Sequence, residues 1–148
     1  MITITEAAHD DLDALAALLG LLFEHEPEFS ADRSKQAAGL KLIIDHPKVG
    51  KILVARKENT VVGMVNLLFT VSTALGQPVV ILDDLVVSSD ERCKGVGKQL
   101  MDEAIQYCAE HGYARISLQT DFDNYSAQHL YSSRGFVRST MIPYRKIF

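Results

Sequence analysis

The chain has 148 residues, 47% of them hydrophobic and 23% charged, and its formal net charge is −4. This acidic balance argues against nucleic-acid binding as the main role, and no apolar run approaches the roughly 20 residues that span a bilayer. Cys93 and Cys108 are too few and too far apart for a zinc site or a disulfide framework. The start of the chain lacks the features of a signal peptide. We expect a single domain over residues 1–148 that holds no metal and has neither a nucleic-acid nor a membrane partner, in the cytoplasm.

The first third of the chain predicts one short strand and two helices. Residues 1–5 alternate apolar and polar side chains, as half-buried strands do, and residues 12–23 carry leucines at helical spacing. The helices are then bounded by capping residues and a proline: the first is capped by Asp10 or Asp11 and stops before Pro27, and the second runs from near Ser30 or Asp32 towards His46.

The middle of the chain predicts three successive strands with short turns, which form an antiparallel meander. These strands cover residues 51–57, 60–71 and 78–88. The third is apolar on both faces and is therefore expected at the centre of the sheet.

The last third predicts a helix from Val96 that ends before Gly112, and a strand over residues 115–120 that is parallel to the third meander strand. A short helix capped by Asp123 or Asn124 follows, and residues 136–148 supply the last strand. The resulting fold class is α/β (α+β): a mixed, mostly antiparallel central sheet flanked by helices.

A basic, glycine-containing loop, Arg92-Cys93-Lys94-Gly95-Val96-Gly97, joins the predicted central strand to the following helix. Such a junction binds anions, because unpaired N–H groups and the positive end of the helix dipole coincide there. A Walker loop is excluded, since Arg92 stands where it needs glycine and Gln99 where it needs Ser or Thr. A dinucleotide fingerprint is excluded because Leu100 replaces its third glycine.

A second motif follows at residues 124–136, with the form Asn-x-x-Ala-x-x-Leu-Tyr-x-x-x-Gly-Phe. Together with Arg-x-x-Gly-x-Gly after a Leu-x-Val strand, it resembles the GCN5-related N-acetyltransferase superfamily. The resemblance covers the whole chain, including the order of strands and helices.

The resemblance implies that acetyl-CoA enters a splayed cleft between the central strand and the strand at residues 115–120. Its pantetheine amides would pair with the backbone of Leu85, Val86 and Val87, and in the family Asn124 contacts the pantetheine side. Its pyrophosphate would lie on the N–H groups of Cys93, Lys94, Gly95, Val96, Gly97 and Lys98. Arg92, Lys94 and Lys98 would offset the phosphate charge.

Two kinds of group are expected to carry the chemistry. Acetyl transfer from a thioester expels a thiolate, and a tyrosine at the motif position of Tyr131 commonly donates the proton in the family. The amine must also lose a proton. Asp83 and Asp84 are two carboxylates inside an apolar strand, and alternation predicts that at most one faces the cleft. Asp83 occupies the place where some polyamine-type members carry a glutamate base. Three alternatives stay open for the general base: Asp84 takes the proton, a water bridges the shorter Asp83 to the amine, or neither carboxylate is the base.

The sequence says less about the molecule that accepts the acetyl group than about the donor. Glu24, Glu26 and Glu28 lie where the family places its acceptor-binding segment, and Tyr125 is a further candidate; solvated surface explains the same residues. We expect a primary amine of a small molecule as acceptor. A protein or peptide N-acetyltransferase and a non-catalytic acyl-CoA-binding module are the alternatives. The family resemblance also suggests a homodimer, with residues 142–148 as a contact.

Overall fold

The computed structural model of the protein describes residues 1–25, 28 and 31–148. Five strands and four α-helices occur within these residues. In chain order they are β1 (Ile2–Glu6), α1 (Leu12–Phe23), α2 (Arg33–Asp45), β2 (Gly50–Lys57), β3 (Thr60–Ser72), β4 (Gln77–Val87), α3 (Val96–Glu110), β5 (Ile116–Ser117) and α4 (Tyr125–Ser133).

The strands form one sheet in the order β1-β2-β3-β4-β5. Neighbours from β1 to β4 are antiparallel, whereas β5 runs parallel to β4 through the α3 crossover. The predicted meander and the mixed, mostly antiparallel sheet are therefore confirmed. β4 lies between β3 and β5, as its apolar sequence predicted.

Helices cover both faces of the sheet, and each face has its own core. On one face, α1 and α2 bury Leu15 and Leu40 against Val54 and Met64. On the other face, α3 contributes a buried cluster that includes Leu100 and Met101. Full burial of such a side chain stabilises the fold by roughly 1.5–3 kcal/mol. Both helical layers are thus fixed to the sheet by apolar contacts.

The close approach of α3 to the sheet depends on Gly63 in β3. A Cβ at this position would lie 3.1 Å from Leu100 Cδ1 and 3.3 Å from both Val96 Cγ1 and the Val86 carbonyl oxygen. A side chain at this position would require Leu100 and Val96 of α3 to give way by a few tenths of an ångström. Gly63 therefore helps to place the glycine loop beside β4.

Most predicted helix boundaries are confirmed by their caps. Asp32 Oδ1 accepts a hydrogen bond from Lys35 N at the start of α2, and Asn124 Oδ1 accepts one from Ala127 N at the start of α4. Gly112 has φ of 75° after α3, as a terminating glycine requires. The structure does not describe Ser30 or Pro27.

Asp11 stands at the N-cap position of α1, as predicted, but its side chain makes no capping hydrogen bond there. A short 3-10 turn precedes the helix, and the Asp11 carboxylate instead accepts two hydrogen bonds from Arg56, at 2.9 and 2.7 Å. A bidentate guanidinium satisfies this largely buried carboxylate better than helical N–H groups would. The pKa of Asp11 is lowered accordingly, mainly by the hydrogen bond from Arg56.

Two predicted strands differ from the structure. β5 covers only residues 116–117 rather than 115–120, and it pairs with β4 only at Val80 and Ile81. Residues 136–148 form no strand within the described chain, so that prediction is wrong. Pro143 lacks the N–H that a ladder needs, and apolar side chains such as Ile142 and Tyr144 are exposed rather than packed on the sheet.

Candidate active site

A bulge in β4 brings the two carboxylates of the strand to one face. Val65 of β3 stands opposite both Asp84 and Leu85, since Met64 pairs with Val86 and Asn66 pairs with Asp83. Asp84 has φ of 53°, in the left-handed region that aspartate tolerates better than most residues. The extra residue shifts the alternation of side chains by one position.

The shift is visible in the packing on either side of the bulge. Leu82 and Leu85 both pack on the α3 face although they are three residues apart. Asp83 and Asp84, between them, both line a cavity of about 250 Å³ on the α1/α2 face. The expectation that at most one carboxylate faces this site was therefore wrong, because a bulge cancels strict alternation.

Asp84 is the more perturbed of the two acids. It is half-buried, and Asn66 Nδ2 donates a hydrogen bond of 2.7 Å to its Oδ2, whereas Asp83 is exposed. Burial raises the pKa of Asp84 to about 6; the neighbouring charge of Asp83 adds to this rise and the hydrogen bond from Asn66 opposes it. A carboxyl group with this pKa is ionised at neutral pH and yet accepts a proton more readily than an ordinary aspartate.

The remaining walls of the cavity come from α1, α2 and β3. Leu19, Leu40 and Leu68 supply apolar surface, while Lys35 and Gln36 lie on the α2 side. Both acids thus line a small, largely apolar pocket. This composition is typical of sites that bind small ligands through a few polar groups.

An opening between β4 and β5 lies beside this cavity. The two strands pair only at Val80↔Ile116 and Ile81↔Ser117. In the part of the chain that the structure describes, residues 82–87 of β4 pair with β3 alone. Leu85, Val86 and Val87, the backbone positions predicted for the donor, therefore lie along the open edge. Arg92 Nε donates a hydrogen bond of 3.2 Å to the Val87 carbonyl oxygen at this edge.

The glycine loop follows β4 and ends at the start of α3. Gly95 has φ of 84° and Cys93 has φ of 60°, so the chain turns sharply before the helix. The first helical hydrogen bond runs from Gln99 N to the Gly95 oxygen, and no side chain caps α3. The N–H groups of Val96, Gly97 and Lys98 consequently precede the helical ladder and point towards incoming anions.

The charges around the loop are mostly basic. Arg92, Lys94 and Lys98 are exposed, as an anion site requires. Two acidic residues, Asp90 and Glu91, precede the loop, and Glu91 Oε1 lies 2.8 Å from Lys57 Nζ and 3.6 Å from Lys94 Nζ. The hydrogen bond from Lys57 is the main reason that the pKa of Glu91 is lowered.

Tyr131 lies on α4, on the opposite face of the sheet from the carboxylates. It packs against the α3-side core, and its ring lies 6.0 Å from that of Phe136. Burial raises the pKa of the Tyr131 phenol above its usual value near 10, so the hydroxyl keeps its proton at neutral pH. Tyr131 does not line the carboxylate cavity. A substrate can therefore contact both the Tyr131 hydroxyl and the carboxylates only through the opening between β4 and β5.

The predicted acceptor residues are dispersed rather than gathered at the acids. Glu24 lines a separate cavity of about 390 Å³ between α1 and α2, and Glu28 forms an ion pair of 2.5 Å with Arg145. Tyr125 is 72% exposed, and Asn124 serves as the cap of α4. Glu26 lies outside the described residues.

Asn66 is a site residue that the sequence analysis missed. It is 3% exposed in the middle of β3 and contacts Asp84 directly. Its signal was present in the sequence, because it is the single amide in the run Val-Val-Gly-Met-Val-Asn-Leu-Leu-Phe. A buried polar side chain in an apolar strand needs a partner, and here the partner is the acid.

The described part of the chain contains neither a metal-binding cluster nor a membrane-spanning helix. Within residues 1–25, 28 and 31–148, no group of three His, Cys, Asp or Glu side chains is placed to hold a metal ion. None of the described helices is long and apolar enough to cross a membrane.

The mixed sheet and the glycine loop after its β4 strand agree with the acetyltransferase architecture that the sequence motifs resemble. The sequence model of the Acetyltransferase (GNAT) family matches residues 13–136. The chain belongs to this family and is an acetyltransferase.

Individual relatives agree with this assignment. A Bacillus subtilis (strain 168) protein described as an uncharacterized N-acetyltransferase is 32% identical over 129 residues, which cover 84% of this chain and 85% of the relative. A mycothiol acetyltransferase of Propionibacterium freudenreichii is 34% identical over 137 residues, 91% of this chain but 43% of that protein. The crystal structure of a possible acetyltransferase from Clostridium difficile 630 has the same fold, with a TM-score of 0.86 at 22% identity, covering 100% of this chain and 99% of that one.

Proposed function

We propose that the protein transfers an acetyl group from acetyl-CoA to the primary amine of a small molecule, by direct attack of the amine in a ternary complex. The observation that carries this proposal is Asp84: a carboxyl with a pKa of about 6 that lines a cavity beside the opening of the sheet. Cytoplasmic location and a homodimer remain predictions from the sequence.

The residues around the opening fit acetyl-CoA as donor. Leu85, Val86 and Val87 offer backbone groups along the unpaired edge of β4, and Asn124 lies at the start of α4 on the far side of the cleft. The uncapped start of α3, from residue 93 to 98, would receive the pyrophosphate, whose charge Arg92, Lys94 and Lys98 offset. When bound, this co-substrate supplies an acetyl group activated as a thioester.

Asp84 acts as the general base in this proposal. An ordinary alkylammonium has a pKa near 10, so transfer of its proton to an aspartate of pKa 3.8 would be costly. A pKa of about 6 reduces that cost by about 3 kcal/mol and still leaves the carboxylate ionised at pH 7. Asp83 contributes through its negative charge, which raises the pKa of Asp84 and attracts a cationic amine.

Tyr131 acts on the leaving sulfur. Its raised pKa makes the phenol a weaker acid than an ordinary thiol, whose pKa is about 8.5. The hydroxyl therefore works foremost as a hydrogen-bond donor to the negative charge that develops on sulfur. Its position on α4 suits this role, because α4 follows β5 and so borders the opening opposite β4.

The size of the cavity favours a small acceptor. Its volume of about 250 Å³ lies just below the usual range for drug-sized ligands, roughly 300–1,000 Å³. A relative named a mycothiol acetyltransferase is consistent with small-molecule acceptors in this part of the family.

The proposal is tested by incubating the purified chain with acetyl-CoA and a panel of amines, aminoglycosides, amino acids and peptides while thiol release is followed. We expect turnover with small primary amines. Asp84→Asn should abolish this turnover, whereas the matched variant Asp83→Asn should only reduce it, because it removes a charge that attracts the amine and leaves the proposed base in place. Turnover confined to peptides would replace the small-molecule acceptor by a protein substrate. Tight acetyl-CoA binding without thiol release for any acceptor would contradict the catalytic proposal.

A further inference from the structure

Asn66 contains a buried hydrogen-bond acceptor that the fold leaves without a partner. Its Nδ2 donates to Asp84 Oδ2 at 2.7 Å, which accounts for one end of the amide. Its Oδ1 is buried and has no hydrogen-bond partner among residues 1–25, 28 and 31–148. Most buried acceptors in folded proteins are paired, so one that is not calls for a functional explanation.

The location of Asn66 indicates what that partner is. Asn66 lines the same cavity as Asp83 and Asp84, and neither of the donor side chains on its α2 wall, Lys35 and Gln36, makes a hydrogen bond to Asn66 Oδ1. Because Nδ2 and Oδ1 belong to one planar amide, Oδ1 lies next to the carboxylate that Nδ2 binds. A donor placed at Asp84 is therefore also within reach of Asn66.

We propose that Asn66 Oδ1 accepts a hydrogen bond from the acceptor nitrogen while Asp84 takes a proton from the same nitrogen, so that the site selects primary amines over secondary amines and alcohols. This inference rests on the proposed function. It assigns to Asn66 a positioning and specificity role that is separate from its hydrogen bond to Asp84.

The hydrogen count of the reaction explains the selectivity. A primary ammonium has three N–H bonds: one proton passes to Asp84, which frees the lone pair that attacks the acetyl carbonyl carbon. As the C–N bond forms and the C–S bond breaks, the sulfur leaves with the bonding electron pair. The second proton leaves the nitrogen and balances the charge of this thiolate, while the first returns to solvent from Asp84. The third hydrogen stays on the amide nitrogen and is the one that Asn66 Oδ1 holds throughout.

Other nucleophiles lack this remaining hydrogen. A secondary ammonium has two N–H bonds and loses both, and an alcohol loses its single O–H to the base. In both cases Asn66 Oδ1 is left without a donor as the product forms. A site that hydrogen-bonds one substrate group rejects analogues without it, because a buried polar atom then stays unpaired.

A purely structural role of Asn66 makes a different prediction. If Asn66 only orients Asp84 and lowers its pKa, its replacement slows every acceptor by the same factor and leaves their ratios unchanged. The ratio of kcat/KM values between acceptors therefore separates the two roles.

The experiment compares n-butylamine, N-methyl-n-butylamine and n-butanol as acceptors at saturating acetyl-CoA. In Asn66→Leu, which has similar volume and no polar atoms, we expect kcat/KM for the primary amine to fall about 10- to 100-fold more than for the other two. Asn66→Ser, whose hydroxyl can still accept, should restore part of the preference. Asp83 lines the same cavity, and Asp83→Asn should leave the ratio between the primary and the secondary amine unchanged, because both acceptors carry the same charge. Equal losses for all three acceptors in Asn66→Leu would overturn the proposal.

A second readout is independent of turnover and of the folding of variants. In the wild-type chain labelled with nitrogen-15, n-butylammonium should shift the Asn66 side-chain amide resonances, and n-butanol at the same concentration should not. If no amine supports thiol release, the proposed function fails, but a selective shift would still establish that Asn66 binds ammonium groups. Absence of any shift with the amine would overturn the role assigned to Asn66.

Discussion

Arg134 on the end of α4 binds Asp102 of α3 through two parallel hydrogen bonds, Nε to Oδ1 at 2.7 Å and Nη2 to Oδ2 at 3.1 Å. The Arg134 side chain is 17% exposed and that of Asp102 is 53% exposed, so the pair lies at the surface between the two helices. α3 begins at the glycine loop, and α4 carries Tyr131. This ion pair therefore fixes the helix of the proposed acid relative to the helix that would hold the donor phosphates.

We expect Asp102→Asn to lower kcat several-fold with little change in acetyl-CoA affinity, because it loosens α4 without touching the loop. Arg134→Lys should have a similar effect, since a lysine cannot reproduce the two-pronged contact. The exchanged pair Asp102→Arg with Arg134→Asp should recover part of the lost rate. Steady-state kinetics and calorimetric titration with CoA measure both quantities; unchanged kcat in both single variants would refute a positioning role.

Replacing Tyr131 by Phe removes the hydroxyl and keeps the ring that packs on Phe136. We expect kcat to fall about 100-fold, as is typical when one transition-state donor is lost, while the dissociation constant of acetyl-CoA stays within about twofold. Tyr125→Phe, on the same helix but exposed, is the matched control and should be neutral. Normal turnover by Tyr131→Phe would show that another group assists the leaving sulfur.

Asp84 should destabilise the fold at neutral pH. Its folded pKa of about 6 lies above the ordinary value of 3.8, so the folded state holds a proton that the unfolded state has already lost. The stability associated with this proton is fully present below about pH 4 and is lost as pH rises to about 6. Asp84→Asn should therefore raise the free energy of unfolding by up to about 3 kcal/mol at pH 8, and by little at pH 4.

Asparagine also tolerates the left-handed φ of Asp84, so this substitution changes charge with little change in backbone strain. Urea unfolding of Asp84→Asn and of the exposed Asp83→Asn at both pH values measures the effect. Equal stability changes at pH 4 and pH 8 would mean that the Asp84 carboxyl is not perturbed in the folded protein.

The Asp84 carboxyl should also set the acid limb of the pH–rate profile. If Asp84 must be ionised to accept a proton, kcat/KM rises with pH and levels off above about pH 6. Asn66 lowers the pKa of Asp84 through its hydrogen bond, so Asn66→Leu should move this limb to higher pH. A limb near pH 4, or one that does not move in Asn66→Leu, would argue against Asp84 as the base.

The sequence predicted the order of elements because each relies on local patterns, such as the leucine spacing of α1 and the Asn124 cap of α4. The site was harder to predict. The bulge that turns Asp83 and Asp84 to one face arises from a register mismatch between β3 and β4, and strand alternation contains no sign of it. The contact of Asn66 with Asp84 joins residues 18 positions apart and depends on the same register. The apolar residues of 136–148 suggested a strand, but apolar composition alone supplies no pairing partner.

Glu91 should weaken donor binding through its contact with Lys94. Its carboxylate lies 3.6 Å from Lys94 Nζ, a lysine proposed to face the pyrophosphate, and adds negative charge beside an anion site. We expect Glu91→Gln to bind acetyl-CoA about two- to fivefold more tightly at low salt, with the gain declining as ionic strength rises. The amide can still accept the hydrogen bond from Lys57, which keeps the turn before the loop in place.

The double variant Glu91→Gln with Lys94→Met separates this electrostatic effect from a change in loop structure. If Lys94 faces the phosphates, Lys94→Met alone weakens acetyl-CoA binding, and Glu91→Gln gives a smaller gain in its presence, because the two substitutions act on one contact. Isothermal titration with acetyl-CoA supplies the four dissociation constants of the cycle at each of two salt concentrations. Fully additive effects, or weaker binding by Glu91→Gln at low salt, would place the donor phosphates away from Lys94.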